Sequence, residues 1–392
     1  MDSKVENGVL TINLIERVDS NNANDFEKEI DEIIEQSTFD ELLLDGEKLA
    51  YISSAGLRVI LRLKKKEPSL KVINVSSDVY EIFDMTGFTE VLTIEKAYRK
   101  MSVDGCEIIG KGAKGTVYRL NEDTIIKVYN DPDSLADIHK ERELARKAFV
   151  LGIPTAISYD VVKVGDSFGS VFELLDAKSF SQLIVEDPDN LEKYAKEYAY
   201  LLRQIPETPV KASDMPDAKK NVWKWLDIIA NLKFLPEETL QQIRSLVEQL
   251  PDTLTMIHGD YHTNNLMMQN GETLLIDMDT LSHGHPIFDL MNVFFTYVGQ
   301  AMIDPEVVKE FTGIDADTAL KVWKAFIPAY LGTDDEATID AVSDKIWLMA
   351  VVRCINHYGK RGFFDGEEGK GRLEYCQNTL SELLLRVDTL EF

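Results

Sequence analysis

The chain is short of cysteine: Cys106, Cys354 and Cys376 are the three in 392 residues, and they lie far apart. That spacing builds neither a disulfide framework nor a zinc-ligand pattern, and a reducing cytoplasm is the expected compartment. Histidine is also scarce, with four of the six between His258 and His285 at spacings that match no recognised metal-ligand set. No stretch approaches the roughly 18 uninterrupted apolar residues of a membrane-spanning helix. The opening MDSKVENGVL lacks the basic and apolar regions of a secretory signal. Basic residues are outnumbered, 42 Lys+Arg against 68 Asp+Glu, for a net charge of −26. Nucleic acid and anionic membranes need a broad basic surface, so neither is an expected partner. The first 100 residues hold 13 basic and 20 acidic side chains and the rest 29 and 48. A cationic or polyhydroxylated acceptor suits such a field, and so does simple solubility. What is present is apolar mass: 44% hydrophobic residues, enough for full cores, on a length that suggests two or three domains.

The most informative stretch is HGDYHTNNLMMQNGETLLIDMDT, from His258 to Thr280. It sets Asp260, Asn265 and Asp277 in one hairpin-like unit. One carboxylate can orient a hydroxyl nucleophile; a carboxamide and a second carboxylate can hold Mg²⁺ against nucleotide phosphates. Phosphoryl transfer needs that division of labour, because its catalysis is mostly positioning and charge neutralisation. The stretch resembles the catalytic loop of protein-kinase-like phosphotransferases, in the HGD variant of aminoglycoside and choline kinases. The resemblance implies that Asp260 is catalytic, that Asn265 and Asp277 are metal ligands, and that His258 and His262 support the loop. It also implies that Asp289 buttresses the loop through backbone hydrogen bonds. Asp279 is a rival ligand, since alternate residues of a strand share a face.

A second signal lies upstream in GKGAKGTVYRLNEDTIIKVY, Gly110 to Tyr129. Gly110, Gly112 and Gly115 fit G-x-G-x-x-G, a weak pattern alone. A Walker loop needs Lys directly after the last glycine, where Thr116 stands; a Rossmann fingerprint needs a helix next. Here two β-rich runs, Thr116–Leu120 and Thr124–Tyr129, flank the polar turn 121–123 and read as a hairpin. Glycines inside a hairpin with Lys127 on the next strand match the kinase arrangement, in which backbone N–H groups and the lysine face the phosphates. A plain glycine turn with a surface lysine is the bland alternative. A helix is expected from Ser134, a plausible N-cap, to the stop at Gly152 and Pro154. Ile138, Glu141, Leu144, Ala145 and Ala148 share one face, so Glu141 is the better partner for Lys127, with Glu143 the neighbour left open.

Tyr159–Val164 and Gly169–Leu175 read as strands, followed by Asp176-Ala177-Lys178-Ser179. By resemblance this is an interlobe hinge, with the backbone of Glu173 and Leu175 on the adenine edge. Beyond it Leu191, Tyr194, Ala195, Tyr198, Leu201, Leu202 and Ile205 recur at helical spacing as core. Two amphipathic helices in 206–252 carry Trp223 and Trp225, either able to stack on a substrate, with burial expected for at least one.

Residues before 100 form a separate unit. Asn7-Gly8 is a strong hairpin turn. Helices are expected over 20–36, 53–66 and 79–85, and strands over 42–44, 71–75 and 91–94, an α/β sandwich. The order, with Leu43-Leu44-Asp45, Ile52-Ser53-Ser54-Ala55-Gly56-Leu57 and Met85-Thr86-Gly87-Phe88, resembles the STAS domain of anti-sigma factor antagonists. That family is phosphorylated on the serine equivalent to Ser54. Ser53 stands where the family often has Asp, which weakens the expectation of phosphorylation at Ser54. Helix capping by either serine is the simpler role.

The sequence thus predicts α/β and α+β architecture: a STAS-type sandwich at 1–99, then a bilobal kinase-like domain at 100–392 with lobes at about 100–175 and 176–392. The expected cofactors are ATP and Mg²⁺, and the expected partner is a small-molecule hydroxyl acceptor, with a protein partner at the STAS surface. Two rival functions stay open. One is a protein kinase acting on a STAS serine; the other is a nucleotide-binding regulatory module with little catalysis.

Overall fold

The computed structural model describes all residues except Ala113 and Asp176. Two compact units emerge: Met1–Asp104 with Val161–Gly169, and Gly105–Asp160 with Ser170–Phe392.

The first unit opens on strands β1 (Ser3–Glu6) and β2 (Val9–Asn13), joined by a two-residue turn in which Asn7 and Gly8 both take positive φ, 50° and 81°. That left-handed pair is why Asn-Gly stands there. The chain continues through β3 (Arg17–Val18), α1 (Ala23–Glu35), β4 (Glu41–Asp45), β5 (Tyr51–Ile52), α2 (Ser54–Lys66), β6 (Lys71–Val75), α3 (Ser77–Met85) and β7 (Ile94–Lys96). The sheet runs β1-β2-β4-β6-β7, antiparallel at the hairpin and parallel elsewhere. In β4, Leu42 and Leu44 are fully buried while Leu43 is only partly so, the alternation of a sheet with one covered face. Phe26 and Ile30 of α1, Val59, Ile60 and Leu63 of α2, and Val79 and Phe83 of α3 fill the core above it.

Two details depart from the sequence expectation. The closing strand starts at Ile94 rather than Val91, because a 3₁₀ turn at Phe88–Glu90 precedes it and leaves Val91 exposed. Capping of α2 falls to Ser53 alone, whose hydroxyl accepts from the Ala55 N–H at 3.2 Å. Ser54 is the exposed first residue of the helix.

Strand β8 (Lys100–Met101) ends this part, and the second unit begins with β9 (Glu107–Lys111), β10 (Gly115–Arg119) and β11 (Thr124–Tyr129), an antiparallel meander. Next come α4 (Leu135–Val150), β12 (Asp160–Val164) and β13 (Ser167–Glu173). Most of β12 and the start of β13 group with the first unit, where β12 pairs in parallel with β8. Ser134 sits at the N-cap of α4 but makes no capping bond, and its buried hydroxyl has no partner among the described residues.

The rest is mainly helical: β14 (Lys178–Ser179), α5 (Phe180–Glu186), α6 (Leu191–Gln204), α7 (Ala218–Asn231), α8 (Glu237–Gln249), β15 (Met256–Ile257), β16 (Leu266–Gln269), β17 (Glu272–Leu275) and β18 (Ser282–His283). Then follow α9 (Ile287–Phe294), a π-helical turn at Phe295–Gly299, α10 (Gln300–Ile303), α11 (Pro305–Thr312), α12 (Ala316–Leu331), α13 (Glu336–Gly359) and α14 (Gly366–Leu384). Their apolar faces merge into one core around Tyr198, Tyr261, Tyr297 and Phe326. Among the described residues no helix is long and apolar enough to cross a membrane.

Gly56 shows how tightly α2 sits on the short parallel pair β3–β5. A Cβ there would lie 2.7 Å from both Ile52 Cγ1 and Val18 Cγ1. Overpacking of this kind costs about 1–3 kcal/mol, against a helix-propensity gain of at most about 1 kcal/mol for leaving glycine. Gly56→Ala should therefore lose stability by roughly 1 kcal/mol in chemical unfolding of the full chain; a gain would contradict this packing.

Candidate active site

The site is built around the ammonium of Lys127. β11 directs it to Glu141 of α4, at 3.1 and 3.4 Å from Oε1 and Oε2, and to Asp277 Oδ1 at 3.1 Å. Lys127 and Glu141 are 17% and 11% exposed, so this is a shielded ion pair. Burial alone would drive the lysine toward neutrality, but Asp277 and Glu141 outweigh it and raise its pKa. The Tyr129 hydroxyl donates to Glu141 Oε2 at 2.8 Å and lies 3.3 Å from Ser170 Oγ. Glu141 is thus gripped from two sides. Glu143, the neighbour left open by the sequence, is exposed on the other face of α4 and pairs with Lys147 at 2.7 Å.

Gly110 ends in β9, Gly115 begins β10, and the Gly112 N–H donates to the Gly115 carbonyl at 2.9 Å. The three glycines do not serve alike. A Cβ on Gly115 would meet the Val128 carbonyl oxygen at 2.4 Å, so close backbone approach requires glycine there. Gly110 and Gly112 have room for a Cβ, so packing within this chain does not require glycine at either position. Next to them Lys114 forms an ion pair with Asp279.

The loop from His258 is held from beneath. Asp289, fully buried on α9, accepts from the backbone N–H of His258 at 2.9 Å and of Gly259 at 2.7 Å. Burial raises its carboxyl to about 7 against those two bonds. Gly259 has φ 83°, and a Cβ there would lie 2.6 Å from the Thr280 carbonyl oxygen. Asn292 donates to the Gly259 carbonyl at 2.6 Å, and Thr280 Oγ1 to the His258 carbonyl at 2.7 Å. Tyr198 and Tyr261 stack at 4.7 Å and each donates to the other's backbone carbonyl. Tyr297, in the π turn, donates to or accepts from Thr263 Oγ1 at 2.5 Å and accepts the Thr263 N–H at 2.9 Å. Burial holds the His258 ring near pKa 4, hence neutral.

On this frame Asp260 Oδ2 lies 3.6 Å from His262 Nε2 and Oδ1 lies 3.4 Å from Arg353 Nη2. Burial opposes its ionisation, yet His262 and Arg353 hold the carboxyl well below the ordinary range. Asn265 Nδ2 donates to the Asp260 carbonyl at 3.0 Å, which leaves Oδ1 as the amide's acceptor end, and the Asn265 carbonyl takes the Ile276 N–H at 2.9 Å. Lys127, Glu141, Asn265 and Asp277 with Asp260 are therefore linked by one chain of contacts.

Asp277 and Asp279 do not sit on a strand, as the alternation argument supposed. β17 ends at Leu275, Asp277 takes φ 62° and ψ 67°, and a 3₁₀ turn follows at Met278–Thr280. A left-handed aspartate is uncommon and marks a segment held by its surroundings. The turn still brings both carboxylates together: Glu141, Asp277 and Asp279 offer oxygens within 4.8 Å of one another. Burial and then Asp277 push Asp279 to about 6. These three all-oxygen donors, with no sulfur or imidazole in the set, fit Mg²⁺.

Other expected residues lie outside this network. Glu173 is the exposed end of β13, and Leu174 donates its N–H to the Asp123 carbonyl at 2.8 Å. Among the described residues neither Glu173 nor Leu175 joins the contacts above. Of the expected hinge, Asp176 lies outside the described residues, and Lys178–Ser179 pair with β16 before Ser179 closes a capping box on α5. Trp223 and Trp225 are both half-buried. Sequence reasoning missed Tyr129, Lys114 and Arg353. The first two stand inside the glycine hairpin and could have been read with it. Arg353 comes from mid-α13, 93 residues beyond Asp260, with no local signal.

Comparison with known proteins places this fold and site. Residues 105–319, more than half of the chain, match the phosphotransferase enzyme family, and residues 1–101 match the STAS domain. The chain belongs to the phosphotransferase enzyme family and carries an N-terminal STAS domain. Solved structures give distant matches. A thermostable mutant of aminoglycoside phosphotransferase APH(4)-Ia, in ternary complex with ADP and hygromycin B, is 12% identical over 72% of this chain and 94% of its own, with a TM-score of 0.49. ADP-bound aminoglycoside phosphotransferase APH(2'')-Ib is 16% identical over 71% and 93%, at 0.45. A choline/ethanolamine kinase family protein from Mesorhizobium loti is 14% identical over 72% and 91%, at 0.45.

His285 gives a pH test of the frame. It is 8% exposed, its Nδ1 accepts the Ile287 N–H at 3.2 Å, and burial lowers its pKa to about 4. The unfolded chain takes up this proton below about 6.5 while the folded one resists it down to about 4. Stability from this residue is full above 6.5 and falls as pH drops through 4. His285→Gln should flatten that part of the slope, by at most about 1.4 kcal/mol per pH unit, in urea titrations between pH 7 and 4. Parallel curves for both proteins would refute the assignment.

Proposed function

We propose that the second unit transfers the γ-phosphoryl group of Mg·ATP to a hydroxyl of a small molecule, and that the STAS unit is regulatory. The observation that carries this is the ammonium of Lys127 seated between Glu141 and Asp277, one contact chain away from Asp260. Lys127 is the phosphate ligand, and Glu141, fixed by Tyr129, aims it. Asn265 and Asp277 would hold the magnesium ion, with Asp279 beside them; when bound, the ion neutralises phosphate charge as the bond to the leaving group breaks. Gly110, Gly112 and Gly115 keep side chains away from the phosphates, and Glu173 and Leu175 offer backbone to the base. Asp260 orients the acceptor hydroxyl and takes its proton late, when the attacking oxygen has become acidic. Asp289 keeps the loop's backbone in register through its two N–H bonds.

Asp260→Asn should cut phosphate transfer by about 10³-fold, within the range of general-base loss, and leave nucleotide binding in place by calorimetry. Activity near that of the native chain would refute its role. Asp277→Asn should instead weaken Mg·ATP by roughly 10- to 100-fold, as lost ligand support does; unchanged affinity would count against the metal assignment.

The exposure of Ser54 at the start of α2 favours a second reading, a kinase acting on a STAS serine in cis or in trans. A phosphate there would be stabilised by the free N–H groups of the helix start. Incubation with labelled ATP and mass spectrometry at Ser54 separates the two: label on Ser54 supports this reading, and its absence beside small-molecule turnover supports the first.

A further inference from the structure

Asp260 has a neighbour that positioning and metal binding do not require. Arg353 places Nη2 3.4 Å from Asp260 Oδ1, a loose contact, with its side chain 18% exposed. Its guanidinium carbon lies 5.6 Å from the ring centres of both Trp225 and Phe295. Its Nε is buried without a hydrogen-bond partner among the described residues. A buried donor left unmade is costly, and an arginine Nε–Nη2 edge is a two-pronged donor shaped for a carboxylate or phosphate. A second guanidinium follows just past the end of α13: Arg361 is exposed and donates to the His357 carbonyl at 2.8 Å. This pair of arginines stands out in a chain of net charge −26.

We propose that the hydroxyl acceptor carries an oxyanion group, a carboxylate or a phosphate ester, bound by the Nε–Nη2 edge of Arg353 beside Asp260; this rests on the phosphotransferase reading above. A cationic acceptor meets like charge at Arg353, and a neutral polyol offers Nε a hydroxyl oxygen but no countercharge. An anionic acceptor gives that donor a charge-assisted bond and is drawn in by the exposed Arg361. Trp225 and Phe295 wall the guanidinium and shield the pair from water, which strengthens it. Locally the acceptor side opposes the acidity of the whole protein, so net charge misleads about the substrate.

The test uses the full chain with Mg²⁺ and a non-hydrolysable ATP analogue, and titrates matched probes by calorimetry: gluconate against glucitol, glucose 6-phosphate against glucose, and kanamycin as a cationic polyol. The expected result is that an anionic probe binds at least about 10-fold tighter than its neutral partner, a charge-pair effect of ordinary size. The gluconate arm identifies a carboxylate and the glucose 6-phosphate arm a phosphate. Arg353→Met should erase the preference while the analogue still binds. Arg361→Gln, an exposed change, should reduce it by a smaller factor. The proposal is overturned if no anionic probe outbinds its partner, if kanamycin binds best, or if the preference survives in Arg353→Met. Should that variant not fold, survival of the full preference in Arg361→Gln overturns it. Failure of the native chain to bind the analogue would instead remove the phosphotransferase reading itself.

Discussion

One ammonium group ties the second unit's chemistry to its fold. Lys127 joins β11 to α4, 14 residues on, and to the turn at Asp277, 150 residues on. Three carboxylates crowd that place, within 4.8 Å. Unpaired, they would repel one another in a medium of low dielectric, where charges interact far more strongly than in water. Lys127 and Lys114 offset two of the three charges in the protein alone. The residual strain is visible in Asp279, pushed up to about 6 with Lys114 beside it. Buried pairs of this kind are weak contributors to stability but costly to break, because the survivor keeps an uncompensated charge. Fold stability therefore does not account for the cluster, which agrees with the cation and phosphate role proposed for it.

A second constraint keeps Asp260 where chemistry needs it. The loop's backbone is pinned by Asp289 and Asn292 below and by Thr280 at its edge. Asp289 and Asn292 are buried, which leaves the loop little freedom to drift. Reaction rates fall steeply when a reacting group strays by about 1 Å. Rigidity here suits the role proposed for Asp260, and the neutral His258 ring beneath the loop adds bulk without charge.

Much of this was legible in the chain. Asn7-Gly8 announced its turn because only left-handed residues close a two-residue hairpin. Glu141 could be chosen over Glu143 because helical spacing puts it on the face of Ile138 and Leu144. The catalytic loop was readable because its residues are close in sequence. Three things were not. Strand alternation was the wrong ground for Asp277 and Asp279, since β17 stops at Leu275 and a strained turn takes over. Ser134 was expected to cap α4 and does not. Arg353 lies in a helix whose pattern speaks only of core packing, and tertiary folding alone brings it to Asp260.

Arg353 also bears on how Asp260 can act. A carboxylate flanked by His262 and a guanidinium, and held well below its ordinary pKa, is a poor base for a free alcohol. In a loose phosphoryl-transfer transition state that weakness is no handicap. Bond breaking to the leaving oxygen runs ahead, and the acceptor's proton becomes acidic only as the new bond forms. In the transfer proposed above, what Asp260 supplies early is direction: a fixed acceptor for one hydroxyl hydrogen, so that a lone pair points at phosphorus. A carboxylate kept ionised by its neighbours can do this below the usual carboxylate range. The same cation that weakens the base thus keeps it charged, and leaves its own second edge free to hold the molecule being phosphorylated.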